Sequence, residues 1–319
     1  MTTEKTTLRE ASRVEVISLV DNSVDFNSSS NKNFVQTFRQ WVKPNVSFDL
    51  PIAENGFSVL INVFIDDKIY RVLFDTGVSS DGVVINAKRM NLDLSELDYV
   101  VLSHGHYDHF GGLLSVLKNI KKPKMPLITH EDMFNPRGTA NNRGEIRKHP
   151  HFPQINNLDS VDIINTKQPY FIADNSTCIT GEIPRINTFE TGYNLNRIYV
   201  GDKWQPDPTM LDDRAIVFNL SGKGLVIISG CAHAGIINTI SYAQKITDIS
   251  HIYAVMGGFH LSGKEGEQRI PATITELKKF SPELIVPFHC TGWRATHALI
   301  DSFKDAFIYN SVGNLYQLK

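Results

Sequence analysis

Ser103-His104-Gly105-His106-Tyr107-Asp108-His109-Phe110-Gly111-Gly112 decides how the rest of the chain is read. It holds three histidines and an aspartate within six residues. The apolar stretch 98–102 before it reads as a strand. Gly111-Gly112 after it opens a helix through Leu113, Leu114, Val116, Leu117 and Ile120. Imidazoles and a carboxylate at a strand end, followed by glycines, project together into one cleft. Such neutral nitrogen and hard oxygen donors suit Zn, Fe or Mn. A chance origin is a weak rival for so dense a pattern.

Working outward, further donors stand just past the ends of expected strands. Residues 224–229 lead to Gly230-Cys231-Ala232-His233, residues 252–256 to Gly257-Gly258-Phe259-His260, and residues 284–287 to Phe288-His289-Cys290-Thr291-Gly292. Lys68–Phe74 ends at Asp75-Thr76-Gly77. Neighbouring strands of a sheet share a rim, so ligands scattered in sequence converge there. Asp75 reads either as a turn former or as an acceptor that orients a ligating histidine. A lone histidine is more often a satisfied core or surface residue, and His130, His251 and His297 take that reading.

The remaining segments alternate strands and helices. Residues 14–20, 57–65, 126–129 and 215–220 read as strands, and 307–317 supplies one or two more. Phe34, Val35, Phe38, Trp41 and Val42 recur at helical spacing, with Pro44 as the stop. Helices are expected over 236–246 and over 271–280, the latter with Pro271 at its start. Residues 1–13 read as a flexible N-terminal tail. Residues 14–319 read as a single domain with insertions near 23–50 and 131–160. The first insertion is a docked surface helix, a lid or an oligomer contact. The second carries Arg137, Arg143, Arg147, Lys148, His149 and His151. It is either a solvated loop or a cap that offers cations to an anionic substrate.

Bulk properties narrow the function class. The 319 residues suffice for a sizeable core, with 41% apolar and 21% charged residues. A net charge of -2 gives no broad electrostatic case for nucleic acid or an anionic membrane. No apolar run has the length of a membrane span, and no secretory h-region follows the polar residues 1–10. Three sparse cysteines fit a reducing compartment, so a cytoplasmic setting is expected. The expected partner is a small-molecule substrate, with self-association into a homo-oligomer allowed for.

Phe74-Asp75-Thr76-Gly77 and Ser103 to His109 resemble the metallo-β-lactamase superfamily. Leu19-Val20-Asp21-Asn22, Gly230-Cys231-Ala232-His233-Ala234-Gly235-Ile236, Gly257-Gly258-Phe259-His260-Leu261 and His289-Cys290-Thr291-Gly292 are similar to one branch. That branch is the dihydropterin-linked ribofuranosyl-aminobenzene phosphate synthase-like proteins. The resemblance spans nearly the whole chain. It implies an α/β fold, the αβ/βα four-layer sandwich of two mixed sheets flanked by helices. It implies one metal held by His104 and His106, and a second held by Asp108, His109 and His289. Where the superfamily places a bridging carboxylate, this chain has Cys231, with His233 two residues on. Two assignments therefore stay open. Cys231 serves as a thiolate ligand, or His233 supplies the missing ligand of the first metal; His233 is favoured and Cys231 kept as a further candidate. The plain reading of Cys231 and Cys290 is packing.

The cofactor implied is a pair of Zn²⁺ ions, with Fe or Mn as alternatives. The activity implied is hydrolysis or group transfer by a metal-activated water on a small anionic or phosphorylated, pterin-like substrate. Asp108 and His260 are the catalytic candidates, Asp75 supports from behind, and Arg143, Arg147 and Arg185 are candidates for the substrate, with Glu190 in the pocket wall. Two other readings remain. One is a diiron oxidoreductase, although related diiron proteins often carry glutamate where this chain keeps His106. The other is a metal-stabilised sensor or binding protein.

Overall fold

The computed structural model describes residues 7–42, 49–155 and 159–319. Arg13–Val20, Ser58–Ile65 and Lys68–Phe74 are rich in β-branched and aliphatic residues and pair antiparallel, with Ile17 opposite Leu60 and Leu60 opposite Leu73. Tyr99–Val101, Met125–Thr129 and Val161–Asn165 extend this sheet in parallel on one side. Leu315–Leu318 and Val35–Gln36 extend it on the other, giving eight strands.

A second sheet of seven strands contains Ala215–Leu220, Gly224–Ser229, Ile252–Gly258 and Leu284–Phe288. The last three run parallel, which requires long crossovers. Helices Ile236–Thr247 and Gly263–Phe280 make them.

The sheets face each other. Val16, Phe57, Ile61 and Phe74 of one pack against Phe218, Ile228, Met256 and Phe288 of the other. Helices Gly82–Arg89 and Leu113–Asn119 cover the first sheet's outer face. Ile236–Thr247, Gly263–Phe280 and Trp293–Phe303 cover the second. The result is the four-layer αβ/βα sandwich. Among the described residues no helix is long and apolar enough to cross a membrane.

Several expectations are corrected. Order begins within the stretch read as a tail: Leu8 is buried and Glu10–Ala11 pairs with Ala215–Leu220, while residues 1–6 lie outside the described residues. The helical spacing at 34–42 yields only the short helix Phe38–Trp41, capped by Thr37 and Gln40. Val35 is instead drawn into the sheet opposite Tyr316, so tertiary pairing overrides the spacing. Pro44 lies outside the described residues. The helix expected from Pro271 starts at Gly263, and Pro271 sits mid-helix on an exposed position. Packing of Gly266, Thr273 and Leu277 outweighs the lost backbone bond. The last segment supplies one strand, Leu315–Leu318, within the one or two expected.

The insertion at 131–160 is not a bare loop. Arg137–Ala140 and Ile146–Lys148 join Asn196–Val200 and Lys203–Pro206 in a third sheet of four strands, and Met133 beside it is fully buried.

Candidate metal centre

The strand ends of both large sheets meet at one rim. His104 and His106 follow Tyr99–Val101, and His233 follows Gly224–Ser229. Their three rings stand 4.8 Å apart, pair by pair, and their donor atoms lie within 4.8 Å of one another. Burial, joined for His104 by its neighbouring imidazoles, holds all three well below the ordinary histidine pKa. They are therefore neutral and carry free lone pairs. His104 Nε2 and both ring nitrogens of His233 are buried without a hydrogen-bond partner. Leaving such atoms unsatisfied is costly, and a cation among them removes the cost.

Support from behind fixes the tautomers. Asp75 accepts from Ser103 N at 2.6 Å, from Ser103 Oγ at 2.6 Å and from His109 Nδ1 at 2.7 Å. The single hydroxyl proton of Ser103 is thereby committed to Asp75. Its lone pair is left to accept from His104 Nδ1 at 2.8 Å, which puts the free lone pair of His104 on Nε2. Asp75 adopts a left-handed backbone, φ 60°, to reach both partners. Gly230 is required beside them, because a Cβ there would stand 2.1 Å from Ser103 Oγ.

Asp108, His109 and His289 form a second group with donors within 4.8 Å of one another. His289 Nε2 lies 3.2 Å from Asp108 Oδ2. Burial opposes ionisation of Asp108, yet His109 and the His289 bond hold it well below the usual carboxylate range. Burial likewise works against a charged His289, but Asp108 prevails and the imidazole is pushed up to about 9. On its far side His289 Nδ1 lies 3.0 Å from Asn22 Oδ1, and His289 N donates to Asp21 Oδ1 at 2.7 Å. Asn310 in turn donates to Asp21 Oδ2 at 2.6 Å.

Cys231 lies between the groups. Its Sγ is 3.1 Å from His109 Nε2 and shares donor clusters with His104, with His233 and with His289. The two open assignments are thus spatially compatible, since Cys231 and His233 both face the cluster. Burial, then Cys290, pushes the Cys231 thiol up in the free chain. His260 reaches the same edge, its ring 4.1 Å from that of His233 and its Nδ1 buried without a partner. It holds a left-handed backbone, φ 43°, and its carbonyl accepts from the Tyr193 hydroxyl.

The arginine candidates are not gathered at this rim. Arg143, in the turn after Arg137–Ala140, and Arg147, on Ile146–Lys148, are exposed. Arg185 donates to the carbonyls of Ile183 at 2.5 Å and Met210 at 3.4 Å. From the same insertion it is His149 that arrives, its ring 5.5 Å from His106 and 5.6 Å from Tyr107. Glu190, expected in the pocket wall, is buried. It accepts from Ile237 N at 2.9 Å and Asn238 N at 2.8 Å, capping the helix that follows His233.

Asp212 and Asp213 were not singled out in the sequence. Asp212 accepts from Gly105 N at 2.7 Å and from Arg137 at 2.7 Å, and Asp213 accepts from Ala234 N at 2.9 Å. Arg137, a supposed substrate cation, is buried in this clamp and in a 2.6 Å bond to Asp207. Arg214 is fully buried and donates to Leu102 O at 2.7 Å. The available signal was three consecutive charges, 212–214, directly before an apolar strand.

Comparison with known proteins agrees with this geometry. The sequence profile described as the Metallo-beta-lactamase superfamily matches residues 54–238. A 7,8-dihydropterin-6-methyl-4-(beta-D-ribofuranosyl)-aminobenzene-5'-phosphate synthase of Methanocaldococcus jannaschii is 29% identical over 265 residues, 80% of this chain and 87% of the relative. An uncharacterised protein of the same organism is 32% identical over 276 residues, 85% of this chain and 96% of the relative. A crystal structure of a metal-dependent hydrolase of the beta-lactamase superfamily superimposes with a TM-score of 0.72 at 23% identity, covering 96% of this chain and 98% of that one. With the histidine run, the four layers and a family match over more than half of its residues, the chain belongs to the metallo-beta-lactamase superfamily.

Proposed function

We propose that the chain is a metal-dependent hydrolase or group-transfer enzyme with a two-metal site, acting on a small anionic, phosphorylated substrate. One observation carries this reading: the buried, partnerless nitrogens of His104 and His233 stand beside a second group of three donors. His104, His106 and His233 would hold one ion. Asp108, His109 and His289 would hold the other, with Cys231 between them. The mixed nitrogen, oxygen and sulfur set suits Zn²⁺ best, with Fe and Mn as alternatives. When bound, the pair supplies Lewis acidity that makes water acidic near neutral pH and offsets charge developing on the substrate.

The chain's own residues supply position and proton handling. Asp75 and Ser103 set the tautomers of His109 and His104, and Asn22 sets that of His289. In the metal-free centre Asp108 pairs with His289; with the ion bound, its free carboxylate oxygen would be a hydrogen-bond acceptor for a neighbouring water. His260, anchored through Tyr193, holds a proton at Nδ1 for the leaving oxygen. The named product of the synthase relative contains a pterin, an aminobenzene ring and a phosphate. That supports a phosphorylated, ring-bearing substrate for this chain. A reducing, cytoplasmic setting would keep Cys231 as a thiol.

Elemental analysis of the purified protein tests the reading, followed by turnover of a phosphoester, lactone and thioester panel. We expect about two ions per chain, falling in His106→Ala together with turnover. Undiminished metal in His106→Ala would sink the ligand assignment, and no turnover anywhere in the panel would sink the hydrolase.

A further inference from the structure

Ile252–Gly258 lies between Gly224–Ser229 and Leu284–Phe288 in the second sheet. Strands two places apart are separated by about 9–10 Å, so side chains that leave them do not ordinarily meet. Cys231 and Cys290, each two residues past one of these flanking strands, do meet. Their Sγ atoms and a ring nitrogen of His289 lie within 4.8 Å of one another. Gly258 leaves the room for this. A Cβ there would stand 2.7 Å from Cys290 Sγ and 3.1 Å from Cys231 Cα. Cys290 Sγ already sits over residue 231, 3.6 Å from its carbonyl oxygen.

The two thiols are unequal. Cys231 is buried, and its Sγ approaches His109 Nε2 at 3.1 Å. Cys290 is partly exposed and so open to a small oxidant. Cys178 offers the contrast. It is buried on Thr177–Ile179 among apolar residues, and burial pushes its thiol up to about 12. A partly exposed thiol beside a second, buried thiol is the arrangement that traps a sulfenic acid as a disulfide before it oxidises further.

We propose that Cys231 and Cys290 are a peroxide-sensitive pair that closes into a reversible disulfide and withdraws Cys231 from the metal centre. Hydrogen peroxide passes one oxygen to Cys290 Sγ and leaves as water, giving a sulfenic acid. Cys231 Sγ then attacks that sulfur, the S–O bond breaks, and the hydroxyl leaves as water with the Cys231 proton. The two thiols thereby give two electrons and two protons to the peroxide, and a dithiol reductant returns them. In a reducing setting the pair stays open until an oxidant arrives. The bond itself does not depend on the two-metal reading above, whereas its effect on the centre does. In the disulfide, Cys231 has no thiolate to offer an ion.

The test treats the chelated, full-length protein with hydrogen peroxide and maps its peptides by mass spectrometry. A peptide joining Cys231 to Cys290, cleaved by dithiothreitol, is expected, with Cys178 left as a free thiol. Cys290→Ser and Cys290→Ala should both lack it. No joined peptide in wild type, or one in which Cys178 replaces either partner, overturns the proposal. Calorimetry with Zn²⁺ then reads the consequence. The cross-linked protein should bind zinc about tenfold or more weaker than the reduced protein, and recover on reduction. Unchanged affinity in the cross-linked protein overturns the withdrawal of Cys231 from the centre. A joined peptide in a protein that binds no zinc even when reduced leaves the thiol pair standing and removes the two-metal reading.

Discussion

The two donor groups are built on opposite principles. Around His104, His106 and His233 the nitrogens are neutral and several are partnerless, so the group is satisfied only by something added. Around Asp108, His109 and His289 the donors already meet partners, through the 3.2 Å contact of Asp108 with His289 and the 3.1 Å approach of His109 Nε2 to Cys231 Sγ. The difference teaches that an ion entering the first group breaks no bond within the protein, whereas an ion entering the second competes with an internal ion pair. Under our assignment the first position fills first and holds its ion more tightly.

The largest expected effects break this contrast directly. His233→Ala empties the first position, and Asp108→Ala empties only the second. Cys231→Ser, at the contact between the groups, loosens both. Titrating the chelated protein with Zn²⁺ by calorimetry reads the two steps separately. The tighter step should vanish in His233→Ala and persist in Asp108→Ala. Loss of the same step in both variants would show one indivisible site.

A smaller effect sharpens the comparison through the groups behind the ligands. Asp75→Asn removes the acceptor shared by His109 and Ser103, and through Ser103 the tautomer of His104. It should weaken both steps by about 10- to 100-fold. Asn22→Ala releases only His289 and should weaken the second step alone. If Asp75→Asn left the first step unchanged, the tautomer relay through Ser103 would be wrong.

These pairings explain what could be read in the chain and what could not. The run from His104 to His109 is legible because its donors are contiguous. His233, His260 and His289 are legible because each follows a strand of plain apolar character. Asp75 was legible as a support because it too ends a strand. The clamp of Asp212 on Gly105 and of Asp21 on His289 was not, since each joins segments more than a hundred residues apart. A shorter separation hid the small sheet in the same way. Arg137–Ala140 reads as loop until Asn196–Val200 is laid beside it. Val35 was read as helical for a similar reason, its partner Tyr316 being near the other end of the chain.

The smallest effect concerns stability rather than metal. Asp213 is fully buried, its Oδ2 holds Ala234 N, and its Oδ1 has no partner. Burial pushes its pKa up to about 6 from an ordinary 3.8. Between those values the folded chain binds the proton that the unfolded chain releases, so this residue's contribution to stability falls as pH rises through about 4 to 6. Above 6 the folded state carries the full cost of a buried carboxylate. Asp213→Asn keeps an oxygen for Ala234 N and removes the charge. The variant should therefore be more stable than wild type at pH 7.5, by about 1–3 kcal/mol, and should lose its advantage near pH 4. Urea unfolding of the chelated proteins across that range measures this, so that bound cations do not enter. Equal pH slopes for the two proteins would mean that Asp213 is offset by a charge partner rather than governed by burial alone, and would tie it more closely to Arg185, whose charge acts on it.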